Sequence, residues 1–277
     1  MACLPPSVIM PGMMADRVEA FRSIHPGETM SVARVRRELG RLQDQAESGV
    51  DASTLHVPAS SAHDSVTIPS LARHREGPAW IDALERASNQ LLRSSTGVVG
   101  WRVGNAGLAV LPPFPMDAVG LEPGILDEPL RSLLASEFTV GVALVRLGRY
   151  AIAVYEGQKL AVSKTDTRYV KSRHHAGGTS QQRFRRVREN QIHRLYVEAA
   201  GVLERQWRPW QDRLDYVVLG GEAATVNGFV RECDMLGRLA TITLERRLDV
   251  REPNRASLDR VGGMLYECRA YPLHWDE

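Results

Sequence analysis

The side chains best placed to do chemistry in this 277-residue chain gather between residues 171 and 194. Ala176-Gly177-Gly178-Thr179-Ser180-Gln181-Gln182 is a polar, glycine-bearing loop between two basic arms. Lys171 and Arg173 precede it, and Arg183, Arg185, Arg186 and Arg188 follow it. Two glycines in a polar loop allow positive φ and a close approach of backbone to another surface. The loop runs directly into a long helical pattern, and N–H groups at a helix N-terminus attract anions and oxyanions. Thr179 or Ser180 is positioned to cap that helix. Two readings stand side by side here: a capped helix start after a flexible loop, or a backbone that approaches another, anionic surface closely.

The charge around the loop is lopsided. Lys164, Arg168, Lys171, Arg173, Arg183, Arg185, Arg186, Arg188 and Arg194 face only Asp166 and Glu189, so nine cations against two anions give +7. The whole chain carries +2, which leaves −5 for the other 246 residues. A charge run is usually a solvated helix face. Here the charges bracket a glycine loop and Arg predominates, and guanidinium groups match phosphate geometry in a bidentate manner. Polyanion contact is the preferred reading, with binding that weakens as salt rises. His174, His175 and His193 add charge below neutral pH.

Several chemistries lack their residues. No GxxxxGK[ST], GxGxxG or GxSxG occurs, so phosphate loops and the hydrolase nucleophile elbow have no anchor. Gly220-Gly221-Glu222 reads as a strand-to-helix turn. His174 and His175 are adjacent, so their side chains diverge and make a poor metal pair. Cys3, Cys233 and Cys268 form neither a disulfide framework nor a CxxC pair, and Cys233 and Cys268 read as buried small hydrophobes. No metal, nucleotide or redox cofactor is expected. No apolar run approaches the roughly 18 residues of a membrane helix. Pro5, Pro6, Pro11 and Gly12 interrupt the apolar N-terminus, and its first basic residue is Arg17, which fails the pattern of a secretory signal. A reducing cytoplasmic compartment is the default expectation.

Apolar spacing supplies the elements that must hold the loop. Residues 1–63 read as a weakly ordered extension and linker, partly helical over Ser31–Ala46, where Val32, Val35, Leu39 and Leu42 recur at three or four residues. The alternative for that helix, whose other face carries Arg34, Arg36, Arg37 and Arg41, is contact with RNA or a partner. Gly49–Ser65, rich in Ser, Ala, Asp and His, reads as linker. One domain is expected over 64–277. It contains a short strand over Val66–Pro69, a helix over Pro78–Leu92, a hairpin around Gly104-Asn105, and a helix over Leu126–Ser136. Then come three strand runs, Thr139–Leu147, Tyr150–Tyr155 and Lys159–Ser163, separated by Gly148-Arg149 and Glu156-Gly157 turns. Thr165–Gln182 has no apolar period and reads as loop, and Arg183–Gln206 as the longest helix. Further strands are expected at Tyr216–Leu219, Leu239–Leu244 and Leu265–Tyr271, with a helix over Ala224–Met235. Strands mixed with helices in this order predict one α/β domain, a mixed sheet with helices on both faces.

Tyr169–Gln182, centred on Gly178-Thr179-Ser180-Gln181, resembles the catalytic loop of release-factor-like peptidyl-tRNA hydrolases, in particular the actinobacterial branch of the VLRF family. That family is related to the central domain of eukaryotic and archaeal class I release factors, whose loop reads Gly-Gly-Gln. It is also related to the eukaryotic tRNA hydrolase of ribosome quality control. The Arg168-Tyr169 pair and the basic helix after the loop fit the resemblance. Gly220-Gly221-Glu222 and Leu111–Pro115 are weaker matches. The resemblance covers about Asp64–Trp275. Release factors place Gln directly after Gly-Gly, whereas here Thr179-Ser180 intervenes and Gln181 is the matching residue.

The resemblance implies a release-factor central-domain-like fold, with a protruding Gly-rich loop that leads into a long basic helix and is mobile without RNA. It implies hydrolysis of peptidyl-tRNA on stalled ribosomes or large subunits. Gln181 positions the attacking water within Gly178-Thr179-Ser180-Gln181, and Gly177 gives the loop its flexibility. Lys171, Arg173, Arg183, Arg185, Arg186 and Arg188 hold tRNA or large-subunit ribosomal RNA. A glutamine amide has no useful basicity, but it orients water and hydrogen-bonds developing charge. Two alternatives remain: cleavage of the tRNA near its 3′ end, and a non-catalytic ribosome- or RNA-binding module.

Overall fold

A computed structural model describes residues 24–59, 71–170 and 179–275. The chain divides into two compact units, one of residues up to Ala135 together with those from Tyr266 onward, the other Ser136–Leu265. The described residues hold two sheets rather than one, within the expected mixed α/β class, and the division falls after Ala135.

The first unit is built on six antiparallel strands. These are β1 (Glu28–Met30), β2 (Ala52–Val57), β3 (Val98–Val103), β4 (Ala106–Leu111), β5 (Gly120–Pro123) and β11 (Cys268–His274), in the order β1-β11-β4-β3-β2-β5. Helices α1 (Val32–Glu47), α2 (Gly77–Ala87) and α3 (Glu128–Ala135) accompany them. Strand alternation splits the side chains between two cores. Val99, Trp101, Leu108 and Val110 pack with Val35, Leu39 and Leu42 of α1 and Leu130 and Leu134 of α3. Leu55, Val57, Val98 and Ala109 pack with Trp80, Ala83 and Leu84 of α2. Gly100 makes room for α2, because a Cβ there would lie 2.5 Å from the Trp80 ring.

The predicted extension therefore contributes to this core. The helix expected over Ser31–Ala46 is present, with the Ser31 hydroxyl accepting from the Arg34 backbone N–H. The predicted linker contains β2, hydrogen-bonded on both sides by β3 and β5. Its polar composition hid the alternation: Thr54 spends its hydroxyl on the Gly124 carbonyl at 2.7 Å, while Leu55 and Val57 are buried. The hairpin at Gly104-Asn105 forms as expected, with Gly104 at φ 60°. The expected strand over Val66–Pro69 and most of the first two dozen residues lie outside the described residues.

The second unit contains β6 (Thr139–Arg146), β7 (Arg149–Glu156), β8 (Lys159–Thr167), β9 (Tyr216–Gly220) and β10 (Thr243–Leu248), in the order β10-β9-β6-β7-β8. The sheet is mixed: β10, β9 and β6 run parallel, and β6, β7 and β8 form the expected antiparallel meander. Gly148 (φ 95°) and Gly157 (φ 56°) supply its two tight turns. The helices are α4 (Thr179–Trp207), α5 (Ala223–Arg231), α6 (Asp234–Arg238) and α7 (Arg255–Leu265).

Helices cover both faces of this sheet, as expected. Tyr150, Ile152, Val154, Val217 and Leu219 meet α4, α5 and α6. On the other face the Tyr155 hydroxyl donates to the Leu258 carbonyl of α7 at 2.7 Å. Gly262 lets α7 approach the β7–β8 turn, since a Cβ there would lie 2.1 Å from the Gln158 carbonyl oxygen. Several elements of this unit differ from expectation, and α7 has no counterpart among the expected elements. Ala224–Met235 is broken into α5 and α6, and the strand expected at Leu239–Leu244 starts only at Thr243. Among the described residues no helix is long and apolar enough to cross a membrane.

Candidate nucleic-acid interface

The long helix α4 has 29 residues, a rise of about 44 Å at 1.5 Å per residue. It begins at Thr179, four residues before the expected start. Thr179, Ser180, Gln181 and Gln182 thus belong by backbone to the first turn of the helix rather than to the loop. Their lack of an apolar residue hid the helix from periodicity. Lys171, Arg173, His174, His175, Gly177 and Gly178 lie outside the described residues.

The anchored part of α4 is its C-terminal half. Leu195, Ala199, Val202, Leu203 and Trp207 are buried against β6, β7 and β9. Trp207 lies over Gly141, where a Cβ would come within 3.1 Å of the ring, and its indole N–H donates to the Ala153 carbonyl at 3.0 Å. Helical spacing alone puts Phe184 and Val187 on one apolar stripe with Leu195 and Val202. The structure leaves Phe184 and Val187 45% and 37% exposed. From Gln182 to Arg194 no residue of α4 is buried.

This uncovered stretch carries the cations. Arg183, Arg185 and Arg186 are exposed and Arg188 is half-buried. Arg185 faces Glu189 at 3.7 Å, and His193 Nδ1 faces Glu232 at 3.4 Å. Arg183, Arg186 and Arg194 have no carboxylate partner among the described residues. Arginines spaced from Arg183 to Arg194 along about 17 Å of helix present guanidinium groups at the scale over which a nucleic acid presents phosphates.

A second feature ties β8 to α4. The Arg168 backbone N–H donates to the Gly148 carbonyl at 2.7 Å, and its guanidinium pairs with Glu198 of α4. The Tyr150 hydroxyl donates to the other Glu198 oxygen at 3.4 Å. Burial pushes the Tyr150 phenol up, so it remains a proton donor. The pair bridges the strand that enters the 171–178 segment and the helix that leaves it. Glu198 was missed in the sequence, where a carboxylate among apolar helix positions has no distinguishing pattern. Tyr169, beside Arg168, is 75% exposed.

Other candidate chemistries find little here. Among the described residues no group of three or more His, Cys, Asp or Glu is placed to hold a metal ion. Cys233 and Cys268 are buried free thiols, and burial pushes the Cys233 thiol up, away from the reactive thiolate. Gly220-Gly221 is a packed strand-to-helix turn. Gly221 has φ 121°, and a Cβ on it would lie 2.1 Å from the Val145 carbonyl oxygen.

Residues 138–266 match a family model described as Actinobacteria/chloroflexi VLRF1 release factor, and this span coincides with the second unit. Among curated proteins the chain is similar to peptide chain release factor subunit 1 from several archaea. The Archaeoglobus fulgidus protein is 26% identical over 117 residues, 42% of this chain and 29% of that protein. The Methanosphaera stadtmanae protein is 32% identical over 103 residues, 37% and 25%. The Methanopyrus kandleri protein is 24% identical over 229 residues, 73% and 55%. The chain thus spans between a quarter and just over half of these relatives. Among solved structures an archaeal translation termination factor, aRF1, aligns over 83% of this chain and 72% of that one, at 16% identity and a TM-score of 0.38. Over residues 138–266 the chain is therefore similar to the VLRF1 release factors.

Proposed function

We propose that this protein hydrolyses the ester between a nascent peptide and its tRNA, on ribosomes or separated large subunits, with Gln181 positioning the attacking water. The observation that carries this reading is the family match over the unit that holds α4. The chemistry is consistent with the residues. Water oxygen attacks the ester carbonyl carbon, the bond to the terminal ribose oxygen breaks, and the vicinal ribose hydroxyl helps deliver the proton to the leaving oxygen. The peptide departs with a free carboxyl group. The ester is already activated, so the protein needs no strong base. A carboxamide supplies a donor and an acceptor for the water and for developing charge.

Position 181 in the first turn of α4 suits that role. Backbone N–H groups of a first turn lack intrahelical partners, and the helix dipole favours negative charge there. Gly177 and Gly178 give the preceding backbone room among nucleotides, and Thr179 and Ser180 start the helix. Lys171, Arg173, Arg183, Arg185, Arg186 and Arg188 hold the phosphates of tRNA and large-subunit RNA. These are interactions of the translating cytoplasm.

Incubating the full chain with peptidyl-tRNA, with and without large subunits, tests this reading when both RNA and peptide ends are analysed. Released peptide and an intact tRNA 3′ end are expected. Gln181→Ala should lower the rate about 10²–10³-fold with binding retained. A shortened tRNA means attack on a phosphodiester instead. Binding without any product reduces the protein to an RNA-binding module.

A further inference from the structure

We propose that RNA lies along the outward face of α4, the face turned away from the sheet, and that Arg194 is one of its phosphate contacts. The inference rests on the RNA-binding reading given above and adds to it which side of the helix is used. A helix turns by about 100° per residue. On that spacing Arg183, Arg186, Asn190, Arg194 and Val197 share an arc of about 80°. All of them are exposed. Leu195, Ala199 and Leu203, which are buried in the core, lie on the opposite side of the helix.

Two independent properties coincide on this arc. The first is uncompensated charge. Arg183, Arg186 and Arg194, which have no carboxylate partner among the described residues, all fall here. Glu189 is the only carboxylate between Gln182 and Val197, and it falls outside the arc, facing Arg185 at 3.7 Å. Arg183 and Arg186 are like-charged neighbours at i, i+3, an arrangement that destabilises a helix by itself. A polyanion laid along the arc reverses that penalty. The second property is uncovered apolar surface, since Val197 is 51% exposed. Guanidinium groups spread over about 17 Å with no anion among them are complementary to a phosphate chain. Asn190 stands one turn from both Arg186 and Arg194, and its amide offers a donor and an acceptor to phosphate or sugar oxygens. Arg185 and Arg188 instead continue the side of Leu195 and Ala199, so RNA on the outward face engages them less directly.

The test measures binding of the full chain to deacylated tRNA over a series of salt concentrations. Arg194→Gln should lower the slope of log affinity against log salt by about one phosphate contact. Arg185→Gln should lower it by less than about half of that. Arg260→Gln, an exposed position of α7 on the other face of the sheet, should leave it unchanged. Asn190→Glu keeps every arginine but sets a carboxylate one turn from both Arg186 and Arg194, and should lower the slope by about two contacts. All four positions are exposed, so the melting temperatures should stay at the wild-type value. Equal slope changes for Arg194→Gln and Arg185→Gln, a slope unmoved by Asn190→Glu, or no binding of tRNA by the wild type would overturn the proposal. Hydrolysis is read separately on peptidyl-tRNA. If the slopes follow the outward face while the wild type leaves the ester uncut, the binding face stands and the hydrolysis reading falls. If wild type and Asn190→Glu cut the ester equally well with the same salt slope, the face assignment alone falls.

Discussion

The two halves of α4 are one continuous helix under opposite selection by solvent. From Leu195 to Trp207 the sequence follows the core: Leu195, Ala199, Val202, Leu203 and Trp207 are buried in it, and Val197 and Arg205 are the exposed positions. From Gln182 to Arg194 no residue is buried, and five of thirteen are arginines. Helices are usually stabilised by packing one amphipathic face. The first half buries no residue fully, although Ile192 packs against the core, and it is held largely as a continuation of the second. The difference separates two roles: the buried half contributes to stability, and the uncovered half is available for contact with something else. Arginine suits the second role because removing a charge from water without a partner costs several kcal/mol.

Substitutions can break or sharpen this contrast. The largest effect is expected at the buried end. Trp207→Ala removes a fully buried ring and the hydrogen bond to Ala153, and should cost about 3–5 kcal/mol in denaturant unfolding of the second unit. A loss below about 1 kcal/mol would show that the helix is not anchored there. Next comes the uncovered half. Arg183→Gln combined with Arg186→Gln should leave stability within about 0.5 kcal/mol. The same pair should reduce the salt slope of RNA binding by about two phosphate contacts. If stability falls instead and RNA binding does not, the halves are not divided as described. The smallest effect is expected where the halves join. Arg168 is about half exposed and Glu198 about a quarter, so Glu198→Gln should cost about 0–1 kcal/mol. That loss should shrink in high salt, and an unfolding series at two ionic strengths would read it.

Legibility followed the same physics. The β6–β7–β8 meander stood out because runs of β-branched and aromatic residues are separated by turns that glycine satisfies. The second half of α4 was legible from its apolar period, and the cationic character of the first from a charge count. β2 was not, because Ser53, Thr54 and His56 gave a buried strand the composition of a linker. Nor was α7, whose Gly262-Gly263 pair argues against a helix on propensity although Gly262 serves a close approach. The start of α4 at Thr179 was hidden because Thr-Ser-Gln-Gln carries no period at all. At the candidate site, the arginines were visible individually. The Arg168–Glu198–Tyr150 connection depends on residues 18 to 48 positions apart and had no local signature.

The route of the chain has a consequence for how the protein matures. β11 hydrogen-bonds to β1 on one side and β4 on the other, yet it is made only after the whole of Ser136–Leu265. During synthesis the later-starting unit can complete its fold while the earlier one still waits for a middle strand. A chain stopped before Cys268 would strand β1 and bare one edge of β4, leaving a sticky template for neighbouring chains. The first part to emerge is the last to close.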